Sequence, residues 1–231
     1  SIARDKLRVV HCGVVPGEIP FVPPDNAARR AGLIVTVGRL DGIKGFETLI
    51  DACALLAKQG LPFECVMVGE GPLREALQAR IDAAGLSGIA TLPGARPGEA
   101  VRDLLSQAQV FVLPSRVTPA GDRDGIPVAL MEAMAAGTPV VSTTVSGIPE
   151  LIDSEMHGLL VGADDAPALA SAISRQLKQR ESAAVMAIAA RQRIEREFDV
   201  AIETARLQAA FQSPEDAELL SPASIPGAGR A

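Results

Sequence analysis

The sequence predicts an α/β fold in which a parallel sheet is covered by helices on both faces. Two observations support this prediction: short runs of β-branched and aliphatic residues alternate with longer Ala- and Leu-rich segments, and the short runs are apolar at nearly every position. Strands buried on both faces have such apolar runs, and helical crossovers keep the strands parallel. The composition agrees, with 48% hydrophobic, 22% charged and 3% aromatic residues.

Each element follows from a local pattern. The apolar runs predict strands at 8–12, 33–37, 63–68, 89–92, 110–113, 139–142 and 159–161. The segments between them predict helices at 45–59, 72–84, 98–107, 127–136, 149–153 and 167–178. Gly60, Gly85 and Gly137 each follow a helical segment, where glycine commonly takes the left-handed conformation that ends a helix.

The pattern divides the chain into three parts. Residues 1–181 hold the alternation of strands and helices, which we expect to form one domain. Residues 182–212 are Ala-rich and charged, and their apolar spacing predicts one or two helices broken near 198–199. Residues 213–231 are rich in Pro, Ser, Gly and Ala, which predicts disorder. Because the chain begins with Ser1 and enters a strand-like run almost at once, we expect a fragment of a longer protein.

Charge and cysteine content exclude several classes of function. The net charge of −6 argues against a nucleic-acid partner. Cys12, Cys53 and Cys65 show no CxxC spacing, so we expect three buried, reduced thiols. No apolar run approaches the ~18–20 residues that a membrane span requires, and no signal peptide is visible.

The segment from Asp124 to 141 is the most informative part of the chain. Gly125 comes just before an apolar helix that opens with Pro127, and proline suits the first helical turn because its missing N–H would have no partner there. The free amides that follow form an anion site, which the helix dipole strengthens. We therefore expect a phosphate group at the start of this helix.

Glu132 lies inside the same helix among Val, Ala, Leu and Met residues. Val128 and Glu132 are spaced i, i+4 and share a face, and helical side chains lean toward the N-terminus. Glu132 therefore reaches back toward the anion site, where a carboxylate suits sugar hydroxyls and would repel phosphate. Phosphate on the amides and a diol on Glu132 describe a nucleotide. The alternative is a buried Glu132 paired with an arginine from another helix.

Loops after the predicted strands carry further candidates, because ligands of parallel sheets bind outside the carboxyl ends of the strands. Gly38, Arg39 and Lys44 follow strand 33–37, and two cations of this kind suit a diphosphate. An ordinary solvated turn is the alternative. Arg96 follows strand 89–92, in a loop whose backbone could cradle a base, or it simply faces solvent.

The loop 114–125 contains Asp122-Arg123-Asp124, a DxD string of the kind that binds divalent metal in another class of sugar-nucleotide enzyme. Three-residue patterns are common by chance. The helix that follows can neutralise a diphosphate without metal. We therefore predict no metal site.

Several motifs together resemble the C-terminal, donor-binding half of a family 4 retaining glycosyltransferase of the GT-B fold, over about residues 7–198. The motifs are Gly38-Arg39 with Lys44-Gly45, Gly69-Glu-Gly-Pro72, the Asp124 and Glu132 pair, Glu132-Ala-Met-Ala-Ala-Gly137-Thr-Pro-Val-Val and Gly147-Ile-Pro-Glu150-Leu-Ile. The loop 114–127 resembles that of members that build exopolysaccharide, colanic-acid-like polymers or lipopolysaccharide. The resemblance implies a Rossmann-like domain that binds a nucleotide sugar.

The resemblance also implies roles for the candidate residues. Glu132 would accept hydrogen bonds from the ribose, while Arg39 and Lys44 would hold the diphosphate and stabilise charge on the leaving group. Asp124 takes the acidic position that usually contacts the donor sugar, although the family more often has Glu there. Backbone groups would assist at Gly38, Gly125, Ile126 and Val128.

For the whole protein, the resemblance implies transfer of a hexosyl group from a nucleoside-diphosphate sugar to a saccharide or lipid-linked acceptor with retention. It implies no cofactor, no essential metal and a cytoplasmic location, and leaves open a peripheral association of the parent protein with the inner face of the membrane. The acceptor would bind mainly to an N-terminal domain that has no counterpart here. The chain alone should therefore bind donor weakly and show little activity.

Two other classes stay open. One is a GT-B-like sugar-nucleotide epimerase or phosphorylase, against which the Asp124 and Glu132 helix and the two histidines argue. The other is a non-catalytic nucleotide-binding domain. The sequence leaves the base, the sugar and the acceptor undetermined.

Overall fold

A computed structural model describes residues 9–212. Within that range one sheet of six strands has the order β3-β2-β1-β4-β5-β6, and all neighbouring strands are parallel. The strands are β1 (Leu33–Val37), β2 (Glu64–Val68), β3 (Ala90–Gly94), β4 (Val110–Leu113), β5 (Val140–Thr143) and β6 (Leu159–Val161). The predicted α/β fold with a parallel sheet is confirmed.

Helices connect the strands and follow the last one. They are α1 (Phe46–Lys58), α2 (Arg74–Ala83), α3 (Gly98–Gln107), α4 (Val128–Ala135), α5 (Ile148–Leu151), α6 (Ala166–Lys178), α7 (Arg180–Glu197) and α8 (Val200–Gln212). The break between α7 and α8 confirms the one predicted near 198–199. In the described part of the chain, no helix is both long and apolar enough to cross a membrane. The predicted disorder of 213–231 lies outside the described residues.

Two hydrophobic cores cover the faces of the sheet, because successive strand residues point to opposite faces. Val35 and Phe111 pack on one face with residues of α3, α4 and α7. Ile34 and Val112 pack on the other face with residues of α1, α2 and α6. These four side chains are fully buried, and each such burial stabilises the fold by about 1.5–3 kcal/mol.

Three glycines end helices as predicted. Gly60, Gly85 and Gly137 follow α1, α2 and α4 with φ of 70°, 69° and 73°. This is the left-handed conformation that L side chains rarely adopt. The predicted helix ends are therefore confirmed at the level of backbone conformation.

The predicted strand at 8–12 is wrong for its described residues, since 9–12 form no strand. Instead, Val14 pairs with the junction of α7 and α8: its amide donates to Phe198 O at 3.0 Å, and Val200 N donates to Val14 O at 2.9 Å. The ring of His11 lies 5.2 Å from that of Phe198. The segment therefore finds its partners at the C-terminal helices rather than in the sheet.

The cysteines differ from one another. Cys53 and Cys65 are buried as predicted, and a hydrogen bond with the Cys53 thiol, together with burial, raises the pKa of Cys65. Cys12 is exposed, so the prediction of three buried thiols is wrong for this one. The reason is the same non-local pairing, which leaves residue 12 on the surface.

Candidate active site

The strand order reverses between β1 and β4, and at such a point sheets of this kind bind ligands in a crevice outside the carboxyl ends of the strands. The loops that follow β1 and β4 border this position. The two loops touch through their backbones. A methyl group built on Gly45, whose φ is 67°, would lie 2.0 Å from Pro114 O. Arg116 N also donates to Ile43 O at 2.9 Å. Only glycine allows this close approach, which places the loop that carries Lys44 against the loop that leads to α4.

Lys44 and Asp124 form an ion pair at this crevice. The Lys44 Nζ lies 2.8 Å from Asp124 Oδ2, and the two side chains are 15% and 17% exposed. Ser115 Oγ donates to the same oxygen at 3.4 Å. The structure thus brings together one cation from the β1 loop and the acidic residue that precedes α4, although they are 80 residues apart in sequence.

The start of α4 is open. The helix begins at Val128, and Pro127 is its N-cap, with φ −68° and ψ 124°, rather than the first helical residue expected from the sequence. The predicted and observed starts of the helix differ by one residue. Pro127 still belongs to the helix start, because its carbonyl oxygen accepts a hydrogen bond from Leu130 N at 3.0 Å. No side chain from the described residues caps the helix start. The amides of Val128 and Ala129 therefore have no acceptor within the helix.

Gly125 and Ile126 lead into this helix and pack against the loop after β5. A methyl group on Gly147 would lie 2.7 Å from Ile126 Cγ1, so that glycine allows the two turns to meet. Ser146, just before it, has φ of 54°. Two neighbouring loops therefore support the turn that presents the α4 amides.

Glu132 is half-buried one turn into α4. Burial raises the pKa of its carboxyl group, and the charge of Arg102 on α3 partly opposes this increase. Among residues 9–212 no cation lies within ion-pairing distance of this carboxylate. The alternative expected from the sequence, a pair with an arginine of another helix, is therefore not found there, and the carboxylate oxygens are available as acceptors.

Arg39 and Arg96 lie on the same edge of the sheet but outside the Lys44 and Asp124 pair. The Arg39 side chain is 73% exposed, and its Nε lies 3.8 Å from Asp41 Oδ2. Arg96 is exposed in the loop between β3 and α3. Neither forms an ion pair with Asp124 in the part of the chain that the structure describes.

Gly38 fills a different role from that of a simple turn residue. Its amide donates to Val68 O at 3.0 Å, which extends the pairing of β1 and β2 beyond the strand ends. A methyl group on it would lie 3.4 Å from Lys44 Cδ and Cε. The aliphatic part of Lys44 therefore lies over Gly38, which guides the ammonium group toward Asp124.

Arg116 is a site residue that the sequence did not reveal. Its Nε donates to Gly42 O at 2.7 Å, and its terminal nitrogens lie 3.3 Å from carboxylate oxygens of Glu47 and Asp164. It thereby ties the loop after β4 to the loops after β1 and β6. Its partners are distant in sequence and include a backbone carbonyl, so no local pattern indicates it.

Two further arginines bind the opposite end of α4. Arg29 Nη2 donates to Ala136 O at 2.9 Å, and Arg191 Nη1 donates to Ala135 O at 2.6 Å. Arg29 also donates to Leu105 O at 2.8 Å, at the end of α3. Desolvation lowers the pKa of Arg29 to about 10. Cations are favourable at helix C-termini, so these contacts fix the position of α4.

The two aspartates of the Asp122-Arg123-Asp124 string have different partners. Asp122 N donates to Thr118 Oγ1 at 3.1 Å in a turn of the loop, whereas Asp124 pairs with Lys44. Across residues 9–212, no three His, Cys, Asp or Glu side chains are close enough to share a metal ion.

The family model described as "Glycosyl transferases group 1" matches residues 23–193. The putative colanic acid biosynthesis glycosyltransferase WcaL of Escherichia coli K12 is 39% identical over 213 residues, which cover 91% of this chain and 52% of the relative. The amylovoran biosynthesis glycosyltransferase AmsK of Erwinia amylovora is 38% identical over 195 residues, or 84% of this chain and 48% of the relative. The chain thus spans about half the length of these curated relatives.

A solved structure shares the fold. The crystal structure of Anabaena HepE in complex with UDP matches with a TM-score of 0.77 and 21% identity, over 88% of this chain and 57% of HepE. At this level of identity the likeness concerns the arrangement of strands and helices.

Proposed function

The chain belongs to the glycosyl transferases group 1 family, and from that premise we propose that it binds the nucleotide-sugar donor of a glycosyltransferase. The observation that carries the proposal is the contact of Lys44 Nζ with Asp124 Oδ2 at 2.8 Å, in the loop that leads to the open start of α4 at Val128. A cation and free helix amides at one point suit a diphosphate.

Each part of a nucleotide sugar has a place in this proposal. The diphosphate lies at the amides of Gly125, Ile126 and Val128, near the Gly38 backbone, with Lys44 and the more exposed Arg39 as counter-charges. The ribose hydroxyls donate hydrogen bonds to Glu132. Its half-buried carboxylate oxygens thereby gain donors that they lack in the described part of the unbound protein.

The remaining candidates contact the two ends of the donor. The base lies toward the loop of Arg96, where backbone groups recognise it. The sugar lies toward Asp124, which accepts a hydrogen bond from one of its hydroxyls. Asp is one methylene shorter than Glu, so this contact needs a sugar placed close to the start of α4.

The complete protein, we propose, transfers a hexosyl group to a saccharide or lipid-linked acceptor in polysaccharide biosynthesis, with retention of anomeric configuration. The names of WcaL and AmsK support the polysaccharide class. The acceptor binds largely outside this chain, and a peripheral association of the whole protein with a membrane suits a lipid-linked acceptor. Negative charge builds on the departing diphosphate, and preorganised amides and cations stabilise that charge, so the reaction needs no cofactor and no essential metal.

Thermal-shift measurements on the chain with UDP, GDP, ADP and their sugar conjugates test donor binding. Binding to the folded state raises its stability by ~2.7 kcal/mol at a hundredfold excess over Kd. We expect one base to give a clear shift that Glu132→Ala reduces. No shift with any nucleotide would contradict the proposal.

The reaction of the full-length protein is tested separately by NMR of its products. Transfer to acceptor with the donor's anomeric configuration is the expected result. An epimerised nucleotide sugar formed without acceptor would instead assign the epimerase class.

A further inference from the structure

The ion pair joins two side chains, Lys44 and Asp124, to which the proposed function gives different parts of the donor to bind. Lys44 is assigned to the diphosphate and Asp124 to the sugar, yet the two lie 2.8 Å apart and both side chains are largely buried. A shielded pair of opposite charges interacts more strongly than an exposed one, because less solvent screens it. A ligand that needs the ammonium must therefore compete with the carboxylate.

The reach of Lys44 is limited, which makes this competition local. Its stem lies over Gly38, 3.4 Å from where a methyl group would stand. Its backbone sits in a 3-10 turn, Gly42–Lys44, that Gly45 and Arg116 hold against the β4 loop. A diphosphate at the start of α4, which follows Asp124 in the same segment of chain, would draw the ammonium group away from this carboxylate.

Asp124 uses one oxygen for both of its contacts. Lys44 and Ser115 bind Oδ2. Within residues 9–212, no described hydrogen bond reaches Oδ1. When Lys44 turns to a diphosphate, the carboxylate loses its cation and becomes a stronger acceptor for a hydroxyl group. The transferred sugar of a donor carries such a hydroxyl. A free nucleoside diphosphate has only its ribose hydroxyls, which the proposed function assigns to Glu132, and has no transferred sugar to place beside Asp124.

We propose that Asp124 competes with a bound diphosphate for the Lys44 ammonium, and so weakens the binding of free nucleoside diphosphate more than that of the intact donor. This inference rests on the proposed function of the site. Asp124 thereby acts as a specificity-determining residue that favours donor over product. The donor compensates for the lost ion pair with its sugar hydroxyl, whereas the product cannot.

The test is a double-mutant cycle on the full chain, with binding of the nucleoside diphosphate selected by the thermal screen measured by calorimetry. Asp124→Asn should lower its Kd roughly tenfold, the change expected when one charge-assisted hydrogen bond no longer competes. In the Lys44→Ala background the same substitution should lower Kd by less than about threefold, because only direct repulsion between carboxylate and phosphate is left. Affinity for the matching sugar nucleotide should fall or stay unchanged in Asp124→Asn.

Ser115→Ala is the matched control, since it removes the other contact to the same oxygen without changing charge, and it should leave both affinities nearly unchanged. Thermal melts establish that each variant is folded, and Asp124→Ser provides a second variant. Unchanged or weaker diphosphate binding by both Asp124 variants would overturn the inference, as would an equal gain with and without Lys44. If the wild-type chain binds no nucleotide, the proposed function itself fails, which is a different result from wild-type binding without a gain in the variants.

Discussion

The two ends of helix α4 are built in opposite ways. At the C-terminal end, Arg29 and Arg191 donate to the carbonyl oxygens of Ala136 and Ala135 at 2.9 and 2.6 Å. At the N-terminal end, Pro127 is the cap and no side chain from the described residues binds the first amides. The helix starts at an exposed residue, Val128, so its first amides are open to solvent and can be bound by an anion that takes the place of water.

The C-terminal end of α4 is held by the fold, whereas the N-terminal end is left available for a ligand. The arginines attach α4 to the rest of the protein at the end away from the crevice, which leaves the other end fixed in position but free in its hydrogen-bonding groups. Such a preorganised set of donors binds an anion without an ordering penalty. Substitutions at the C-terminal end should therefore change stability first, and substitutions at the N-terminal end should change ligand affinity first.

Arg29→Ala should give the largest effect. It removes the donor that Arg29 supplies to the carbonyl oxygens of Val22 and Ala108, and each buried carbonyl that loses its partner costs about 1–3 kcal/mol. Leu105 O and Ala136 O keep other donors and lose only one of their contacts. We expect the free energy of unfolding in urea to fall by about 2–6 kcal/mol.

Arg30→Ala is the matched control for that substitution. Arg30 is the next residue, and it forms an exposed pair with Glu64. Surface pairs contribute about 0–1 kcal/mol, so its loss should be small. Equal losses for the two arginines would show that the contacts of Arg29 with α3 and α4 are not what holds this end of the helix.

Gly137→Ala should destabilise the protein more than Gly60→Ala. Both glycines follow a helix with positive φ, so each alanine incurs backbone strain of about 1 kcal/mol or more. A methyl group on Gly137 would also lie 2.5 Å from the Phe21 ring, while nothing lies within 4 Å of one on Gly60. We expect losses of about 2–4 kcal/mol for Gly137→Ala and about 1 kcal/mol for Gly60→Ala, read from urea denaturation.

If the two glycine variants unfold at the same urea concentration, contact of Phe21 with the end of α4 contributes nothing. Nucleotide binding by the folded fraction of each variant should stay near that of the wild type, since neither glycine lies at the open end of the helix.

Glu132→Gln should have the smallest effect on stability and a clear effect on binding. An amide oxygen accepts more weakly than a carboxylate, so nucleotide affinity should fall about tenfold. Because burial raises the pKa of Glu132 in the folded protein, the unfolded chain releases this proton at lower pH. The wild-type protein therefore loses stability as pH rises from the pKa of Glu132 in the unfolded chain through its raised pKa in the folded protein. Glutamine does not ionise, so the stability of the variant should not show this part of the pH dependence.

Urea denaturation between pH 4 and 7 measures that difference, which solvent screening should keep below about 1 kcal/mol. Glu99→Gln, an exposed substitution on α3, serves as the control for the loss of one negative charge. A variant that binds nucleotide as tightly as the wild type would remove Glu132 from the proposed ribose contact.

Local signals in the sequence predicted α4 well and its supports poorly. Pro127 and Gly137 mark the ends of the helix because their backbone preferences act within a few residues, and the spacing of Glu132 follows from helix geometry alone. Arg29, Arg116 and Arg191 were not found, because they bind backbone carbonyls far away in sequence, and a carbonyl carries no residue identity. The apolar run at 8–12 was misread for a similar reason: its partner is the junction of α7 and α8.

The Lys44 and Asp124 site could be predicted from the sequence only in part. The sequence placed Lys44 and Asp124 after different strands at one edge of the sheet, but the reversal of strand order between β1 and β4 made them neighbours. Arg39 shows the limit of the same reasoning. It follows the same strand as Lys44, yet its side chain is exposed beside Asp41, whereas the stem of Lys44 lies over Gly38.

The most direct test of the central claim is a titration of ¹⁵N-labelled protein with the nucleoside diphosphate that the thermal screen selects, followed by amide NMR. Binding at the open end of α4 predicts that the largest shifts occur at Gly125, Ile126, Val128 and Ala129, with little change at 133–137, where the arginines hold the helix. Saturable binding that leaves the amides of 125–129 unmoved would place the nucleotide elsewhere and contradict the account.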